Sequence, residues 1–457
     1  MSNNIERKEI GITDKLTVGQ SLFYGFQSVV ALNLFLGAII IAGILGLDIA
    51  HTAILLTLSF LACGVATLIQ AGIFMKYPVV QGVSFATIGA IVAITFMHDL
   101  ATAFGSLILG AIIIILLGYF KLFSKIMKII PPIVAGVVVC VIGVSVMFTA
   151  ADSLITFPGS AGTNFLLAAI VFALIFIFKT IGNSKSKIAG FCGKGGVLMA
   201  IVIACIVAGA MGVADFGPVA AAPIVGAPEF FAFGFPKFDL ASSLVFIFIY
   251  IIVMIETIGN WFAISFTAKA PIQNADIDKG IIGEGVGSLI GAFIGSAPAT
   301  SYAPNCGVIS LTKVYSRWSA VGAGVIIVIL AFIPKLMYVI ACIPGPIMLG
   351  TLFAMTVIIL MSGFRSIHHY PLSERNILII GIPIAITLLV SLMPMDIVGA
   401  MPMLLSFLFS SSICIGTIAA VLLNLILPKA KAEDAPAEIA SETPALEEPA
   451  EEATNEA

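Results

Sequence analysis

The chain is poor in charge. Asp, Glu, Lys and Arg make up 10% of its 457 residues, hydrophobic residues make up 60%, and the mean hydropathy is +1.18. A soluble domain carries about 25% charged residues. An ordinary soluble protein is therefore excluded, and a nucleic-acid binder with it. Cysteine supplies no scaffold. The seven cysteines (Cys63, Cys140, Cys192, Cys205, Cys306, Cys342, Cys414) are scattered, odd in number and mostly inside apolar runs. That pattern fits neither a disulfide framework nor a metal site. Gly193-Lys194-Gly195-Gly196 lacks the spacing and the following Ser or Thr of a phosphate loop. His368 and His369 have no further ligands near them, and no nucleophile stands beside a paired base, so an enzyme is not expected. The first apolar run begins too late for a signal peptide.

The formal net charge of −3 hides two unlike parts. Residues 433–457 hold nine acids and no base, for −9, while 1–432 hold 21 bases and 15 acids, for +6. The segment 429–457 is rich in Ala, Glu and Pro and buries too little apolar surface to offset chain entropy. It reads as a disordered acidic tail.

Residues 16–428 are what the chain has in abundance: apolar segments of membrane-spanning length, broken by short Gly, Pro and Lys clusters. At roughly 20 apolar residues per span plus a loop, about fourteen spans fit. They fall near 20–46, 49–72, 78–97, 100–120, 130–150, 163–183, 190–212, 240–267, 280–295, 300–315, 318–333, 343–363, 376–394 and 398–427. With residues 1–15 inside, alternate loops collect 19 of the 21 bases, and the opposite loops keep only Lys237 and Lys335. This follows the positive-inside rule and puts both termini in the cytoplasm.

The third and tenth segments are poor helices. KYPVVQGVSFATIGA (76–90) and SAPATSYAPNCGVISLTK (296–313) are polar and rich in Gly or Pro. Broken backbone at membrane depth survives only inside protein or beside a water-filled cavity. Ser84-Phe85-Ala86 matches Ser301-Tyr302-Ala303, and both fall in the third span of a seven-span half. Interrupted spans at corresponding positions of two halves point to a transporter site, and halves of odd span number make the repeat inverted.

The eighth segment carries one acid, Glu256, at its centre. A carboxyl there costs about 2.5–3.5 kcal/mol on insertion scales. No base lies in any predicted span to pair with it, so it reads as a substrate or proton site. Asn260 follows one turn on. Gln81 and Asn305 lie in the breaks. Gln27, Ser28 and Asn33 in the first span serve equally well as helix–helix hydrogen bonds or as ligands.

These residues carry a resemblance. Pro304, Asn305, Gly307, Thr312 and Lys313 of PNCGVISLTK fit the signature of the nucleobase–ascorbate transporters, the nucleobase:cation symporter family 2, at the tenth span where that family has it. VQGVSFA (80–86) resembles its third-span motif and IETIGN (255–260) its eighth-span motif. The resemblance implies an all-α polytopic membrane protein of fourteen spans in two inverted seven-span repeats, with short β-strands in spans 3 and 10. Spans 1–4 and 8–11 (about 20–120 and 240–333) would form a core domain. Spans 5–7 and 12–14 (about 130–212 and 343–427) would form a gate domain, often the homodimer contact. Glu256 matches the family's base-binding glutamate, and Phe85 and Ala303 match positions lining the base, with Ser84, Tyr302 and Asn305 beside them. A carboxylate accepts from the N–H edge of a nucleobase, and Phe85 and Tyr302 offer apolar or stacking walls.

The sequence departs from the family at three places. Pro304 replaces the usual Gln or Glu and brings neither a side-chain acceptor nor an N–H, as in the ascorbate branch. Asn260 stands where many members carry a His or Asp implicated in coupling, and Ser28 where many carry a His. The expectation is a plasma-membrane symporter for a nucleobase, a purine such as xanthine or urate before uracil. It would be coupled to a proton through Glu256 and Asn260, with sodium as the alternative and no metal or resident cofactor. An ascorbate-like organic anion symporter and a base-binding membrane sensor are the competing readings.

Overall fold

The computed structural model describes residues 10–428 except 128–130, 183–186, 269, 303–304, 306–307, 310–312, 369, 402–408 and 410. The acidic tail expected at 429–457 lies outside the described residues.

The molecule is mostly helical, and its helices start where the sequence supplies an N-cap. Thr17 and Gln20 form a reciprocal capping box that opens α1 (Val18–Leu32). Asp48 accepts from the His51 N–H at 2.8 Å to open α3 (Ile49–Ile69), and Asp99 accepts from the Thr102 N–H at 2.7 Å to open α5 (Leu100–Tyr119). Capping side chains satisfy N–H groups that a helix start leaves orphaned. Between caps the helices are largely Ile, Leu, Val, Ala and Gly, and apolar on most faces, as helices meeting both protein and lipid should be. Seven described helices are long and apolar enough to cross a bilayer, and Arg317–Ala331 with Pro334–Ala341, bent by 85°, make an eighth if counted as one span.

The first segment is two helices rather than one. α1 ends at Asn33, whose φ of 50° is left-handed, and α2 (Leu36–Leu45) follows. The eighth segment, α11 (Leu240–Ala268), runs unbroken.

In the third segment, α3 passes through a π turn (Gln70–Phe74) into the strand β1 (Gln81–Val83), a 3-10 turn (Phe85–Thr87) and α4 (Ile88–Met97). In the tenth, the strand β2 (Ala299–Ser301) precedes residues that return to helix. The two strands pair antiparallel with Gln81 opposite Ser301, Gly82 opposite Thr300 and Val83 opposite Ala299. All six residues are buried.

Small residues let the surrounding helices approach closely. A Cβ on Gly25 would lie 2.3 Å from the Ala323 backbone N, and one on Gly322 would lie 2.0 Å from the Ser21 carbonyl, so α1 and the helix Arg317–Ala331 touch backbone to backbone. This is the small-residue packing that membrane helices use in place of a hydrophobic drive. α12 (Asn274–Ile294) lies against α3 and α5, α11 packs on α5, and Arg317–Ala331 packs on α1 and α3. Of these, α3, α11 and α12 contact the strand pair directly. A second set joins Pro132–Ile155, Ala161–Gly182, Lys187–Ala210, Gly345–Ile367, Glu374–Ser391 and Ser412–Ile426 through their mutual contacts.

Two peripheral segments are tied to the first set. Ile10 donates to the Lys313 carbonyl at 3.2 Å and accepts from the Tyr315 N–H at 2.8 Å, which brings the N-terminal segment to the end of the tenth segment. At the other end, Lys237 pairs with Asp99 and its N–H donates to the Ala101 carbonyl at 3.0 Å. The Asp99 carboxyl is held down at about 2, first by its hydrogen bond from Lys237 and then by Thr102.

Candidate functional site

A two-stranded ribbon has two outer edges lined with unpaired N–H and C=O groups. Away from water these must find partners, and the chain supplies side chains for them. On β1, the Gln81 N–H donates to Thr67 Oγ1 of α3 at 2.9 Å. On β2, the Ser301 carbonyl accepts from Asn260 Nδ2 of α11 at 3.1 Å, and the Ala299 carbonyl accepts from Ser288 Oγ of α12 at 3.2 Å. Asn305 Nδ2 donates to the Pro78 carbonyl at 2.7 Å and ties the tenth segment to the third just outside the strands.

The Asn260 bond orients α11. Glu256 lies one turn earlier on the same face, so its side chain is turned toward the end of β2. α11 also contacts the 3-10 turn that holds Phe85. Glu256 is buried, and its Oε2 has no hydrogen-bond partner. Thr257 Oγ1, Ser84 Oγ, Ser301 Oγ and Tyr302 Oη are likewise buried without partners. Unpaired buried polar atoms are rare in proteins. Ser84, Ser301 and Tyr302 lie in or next to the paired strands, Glu256 and Thr257 lie on α11, which contacts β2, and Gln81 Oε1 and Glu284 Oε2 are unpaired as well.

Two aromatic residues wall this spot. The rings of Phe85 and Tyr302 lie 5.8 Å apart at 36°. The residues matched by the Ser-aromatic-Ala repeat therefore meet in space. Gly82 makes room for one of them, since a Cβ there would lie 2.4 Å from the Tyr302 ring. The spot offers a carboxylate acceptor, hydroxyls and aromatic surface, which suits a small flat ligand with N–H donors.

The structure thus brings together Glu256, Asn260, Ser84, Phe85, Gln81 and Tyr302. Ala303 and Pro304 lie outside the described residues. Ser28 takes no part in the ribbon. Its Oγ donates to the Tyr24 carbonyl at 3.2 Å within its own helix, and it lines a narrow crevice with Tyr24, Pro78, Val80 and Asn305. The described cysteines Cys63, Cys140, Cys205, Cys342 and Cys414 are free, and no cluster of three His, Cys, Asp or Glu side chains that could hold a metal occurs among the described residues.

Sequence reasoning missed Glu284. With a ninth segment drawn from 280, this acid falls at a helix end and does not count as buried. The helix in fact starts at Asn274, capped by Gln273 and Asp276, which puts Glu284 well inside it. It is 1% exposed, so Glu256 is not the lone acid at depth. The signal was the capping pair ahead of 280, together with Gly280, Gly283, Gly287 and Gly291 along one side of the helix.

Comparison with known proteins agrees with this architecture. The profile of the Permease family matches residues 19–396. The chain is 30% identical over 425 residues to a uric acid transporter of Escherichia coli, covering 90% of this chain and 86% of that one. It is 29% identical over 446 residues to a xanthine permease of Bacillus subtilis, covering 94% and 99%. Among solved structures, the transmembrane domain of a cyanobacterial bicarbonate transporter superposes with a TM-score of 0.61 at 15% identity, covering 84% of this chain and 98% of that one. The chain belongs to the nucleobase–ascorbate transporter family. It is a multi-pass membrane permease and not an enzyme.

Proposed function

We propose that this permease is a plasma-membrane symporter that imports a nucleobase, a purine such as xanthine or urate before uracil, with both termini cytoplasmic. The observation that carries the reading is the buried, unpartnered Oε2 of Glu256 beside two broken segments and an aromatic pair. An orphaned acceptor is costly unless something fills it. The N–H edge of a base does so with a charge-assisted hydrogen bond. Phe85 and Tyr302 would flank the ring, and Ser84 and Ser301 would meet its polar rim. The relatives named for uric acid and xanthine favour a purine.

In this reading the helices around the ribbon form a core that rocks against a gate made by the second set, which would also carry any homodimer contact. Glu256 would exchange its substrate bond with the coupled proton, with Asn260 fixing the face on which it does so. Fourteen spans in two inverted repeats fit the two strands, one from each half, that cross at the site.

An ascorbate-like anion, with sodium as coupling ion, is the second reading. Pro304 favours it, because proline removes an acceptor that a base would otherwise use. The test is uptake into proteoliposomes of labelled uracil, xanthine, hypoxanthine, urate and ascorbate with pH and sodium varied independently. Base uptake driven by an inward proton gradient is expected. Uptake of ascorbate alone would select the second reading. Base binding without counterflow would make the protein a sensor.

A further inference from the structure

Glu284 is a buried carboxylate that the proposed function does not use. It lies on α12, and its Oε1 accepts from Gln81 Nε2 at 3.0 Å and from Gln70 Nε2 at 3.4 Å. Gln81 and Ser301 are cross-strand partners. The carboxylate therefore holds the β1 member of that pair through its side chain, and reaches β2 through the strand pairing.

Gln70 reaches it because of a local irregularity. α3 changes to a π turn at Gln70, and such turns re-aim side chains at functional places. Gln70 Nε2 also donates to the Gly280 carbonyl at 3.0 Å. Its Oε1 rests against Gly283, where a Cβ would lie only 1.9 Å away. Gly283 thus admits the amide that reaches the carboxylate.

We propose that Glu284 is a positioning residue for substrate recognition, holding Gln81 and through it the Gln81–Ser301 strand pair so that Ser84, Phe85 and Tyr302 keep their places. The clamp has two donors, Gln70 at the π turn that follows α3 and Gln81 on β1. Glu284 differs from Glu256 in that one of its oxygens is held by donors from the protein, whereas among the described residues no donor reaches Glu256. The part that concerns substrate rests on the proposed function; the clamp itself does not.

The experiment compares full-length wild type with Glu284→Gln, Glu284→Leu, Gln81→Leu and Gly283→Ala in nanodiscs and proteoliposomes. Amide hydrogen exchange across 80–85 and 299–302 is measured without substrate, and KM and Vmax of base uptake with it. Glu284→Gln keeps an acceptor oxygen in place. It is expected to retain slow exchange and a KM within about threefold of wild type. Glu284→Leu and Gln81→Leu are expected to speed exchange in both segments and to raise KM at least about tenfold, roughly what one lost hydrogen bond to a charged group gives. Gly283→Ala leaves the carboxylate and displaces Gln70. A smaller shift in the same direction is expected, and this variant keeps the test open if Glu284→Leu does not fold. Unchanged exchange in Glu284→Leu, Gln81→Leu and Gly283→Ala would overturn the proposal. So would a Glu284→Gln protein that fails like Glu284→Leu while its strands stay protected, because the charge and not the clamp would then be what matters. If wild type takes up no base, the proposed function fails, and hydrogen exchange still decides the clamp.

Discussion

Two buried carboxylates stand near the same strand pair and differ in the partners that the chain gives them. Glu256 has a buried oxygen with no partner, and among the described residues no donor reaches it. Glu284 accepts from Gln81 and Gln70 at one oxygen and keeps the other unpaired. Both acids are costly at this depth. At Glu284 the protein supplies its own donors to one oxygen, and the acid becomes part of the scaffold. At Glu256 it leaves the donor to be supplied by whatever binds. An acid held by the chain's own donors marks structure, and one they do not reach marks a site.

The largest effect that tests this contrast is expected from Glu256→Gln. Losing the charged acceptor should weaken base uptake about 10- to 100-fold, the range for a hydrogen bond to a charged group, while strand hydrogen exchange stays as in wild type. Wild-type uptake by Glu256→Gln would erase the distinction between the two acids. Next comes Gly82→Ala, which drives a methyl into the Tyr302 ring. It should raise KM about fivefold or more through the displaced ring, with Vmax less affected, and kinetics across the substrate panel would check it. Asn260→Leu removes the bond to the Ser301 carbonyl. A melting temperature lowered by a few degrees is expected, for about 1–3 kcal/mol of an unsatisfied buried acceptor. An unaltered melt would show that the β2 edge finds another donor.

The smallest effects lie outside the ribbon. Ser28→Ala deletes a hydroxyl that bonds only its own helix among the described contacts. Uptake should stay within about twofold of wild type, since such substitutions are usually within ±0.5 kcal/mol. Lys237→Met removes the partner that holds the Asp99 carboxyl near 2, below its ordinary 3.8. A lowered folded pKa stabilises the protein above the unfolded value, and that stability is lost as pH falls through the folded one. The difference between wild type and variant, no more than a surface pair's small contribution, should therefore be fully present at pH 7 and shrink toward zero as pH falls from about 4 to 2, because only the wild type has that stability to lose. Thermal melts across that range would read it.

Much of this was legible beforehand. Pro78, Gly82 and Pro298 announced broken segments, because neither residue suits a helix interior, and the strands lie where those residues fall. Glu256 stood out because charge is so scarce. Glu284 was hidden by a helix start placed too late, and the break at Asn33 by apolar residues on both sides that read as one continuous span. Both errors concern boundaries, which composition marks weakly and capping geometry decides.

The sequence by itself determined that this is a membrane permease of a known family, with two interrupted segments and one conspicuous acid. Hydropathy, charge alternation and motif spacing are properties of the chain taken one stretch at a time. Only the tertiary structure decided which residues share a partner. Gln81 and Glu284 are far apart in the chain and meet in one hydrogen bond, and Asn260 spends its amide on a strand carbonyl. Hydrogen bonds are short-ranged, so whether a buried oxygen is filled or vacant depends on what folding brings within about 3 Å of it.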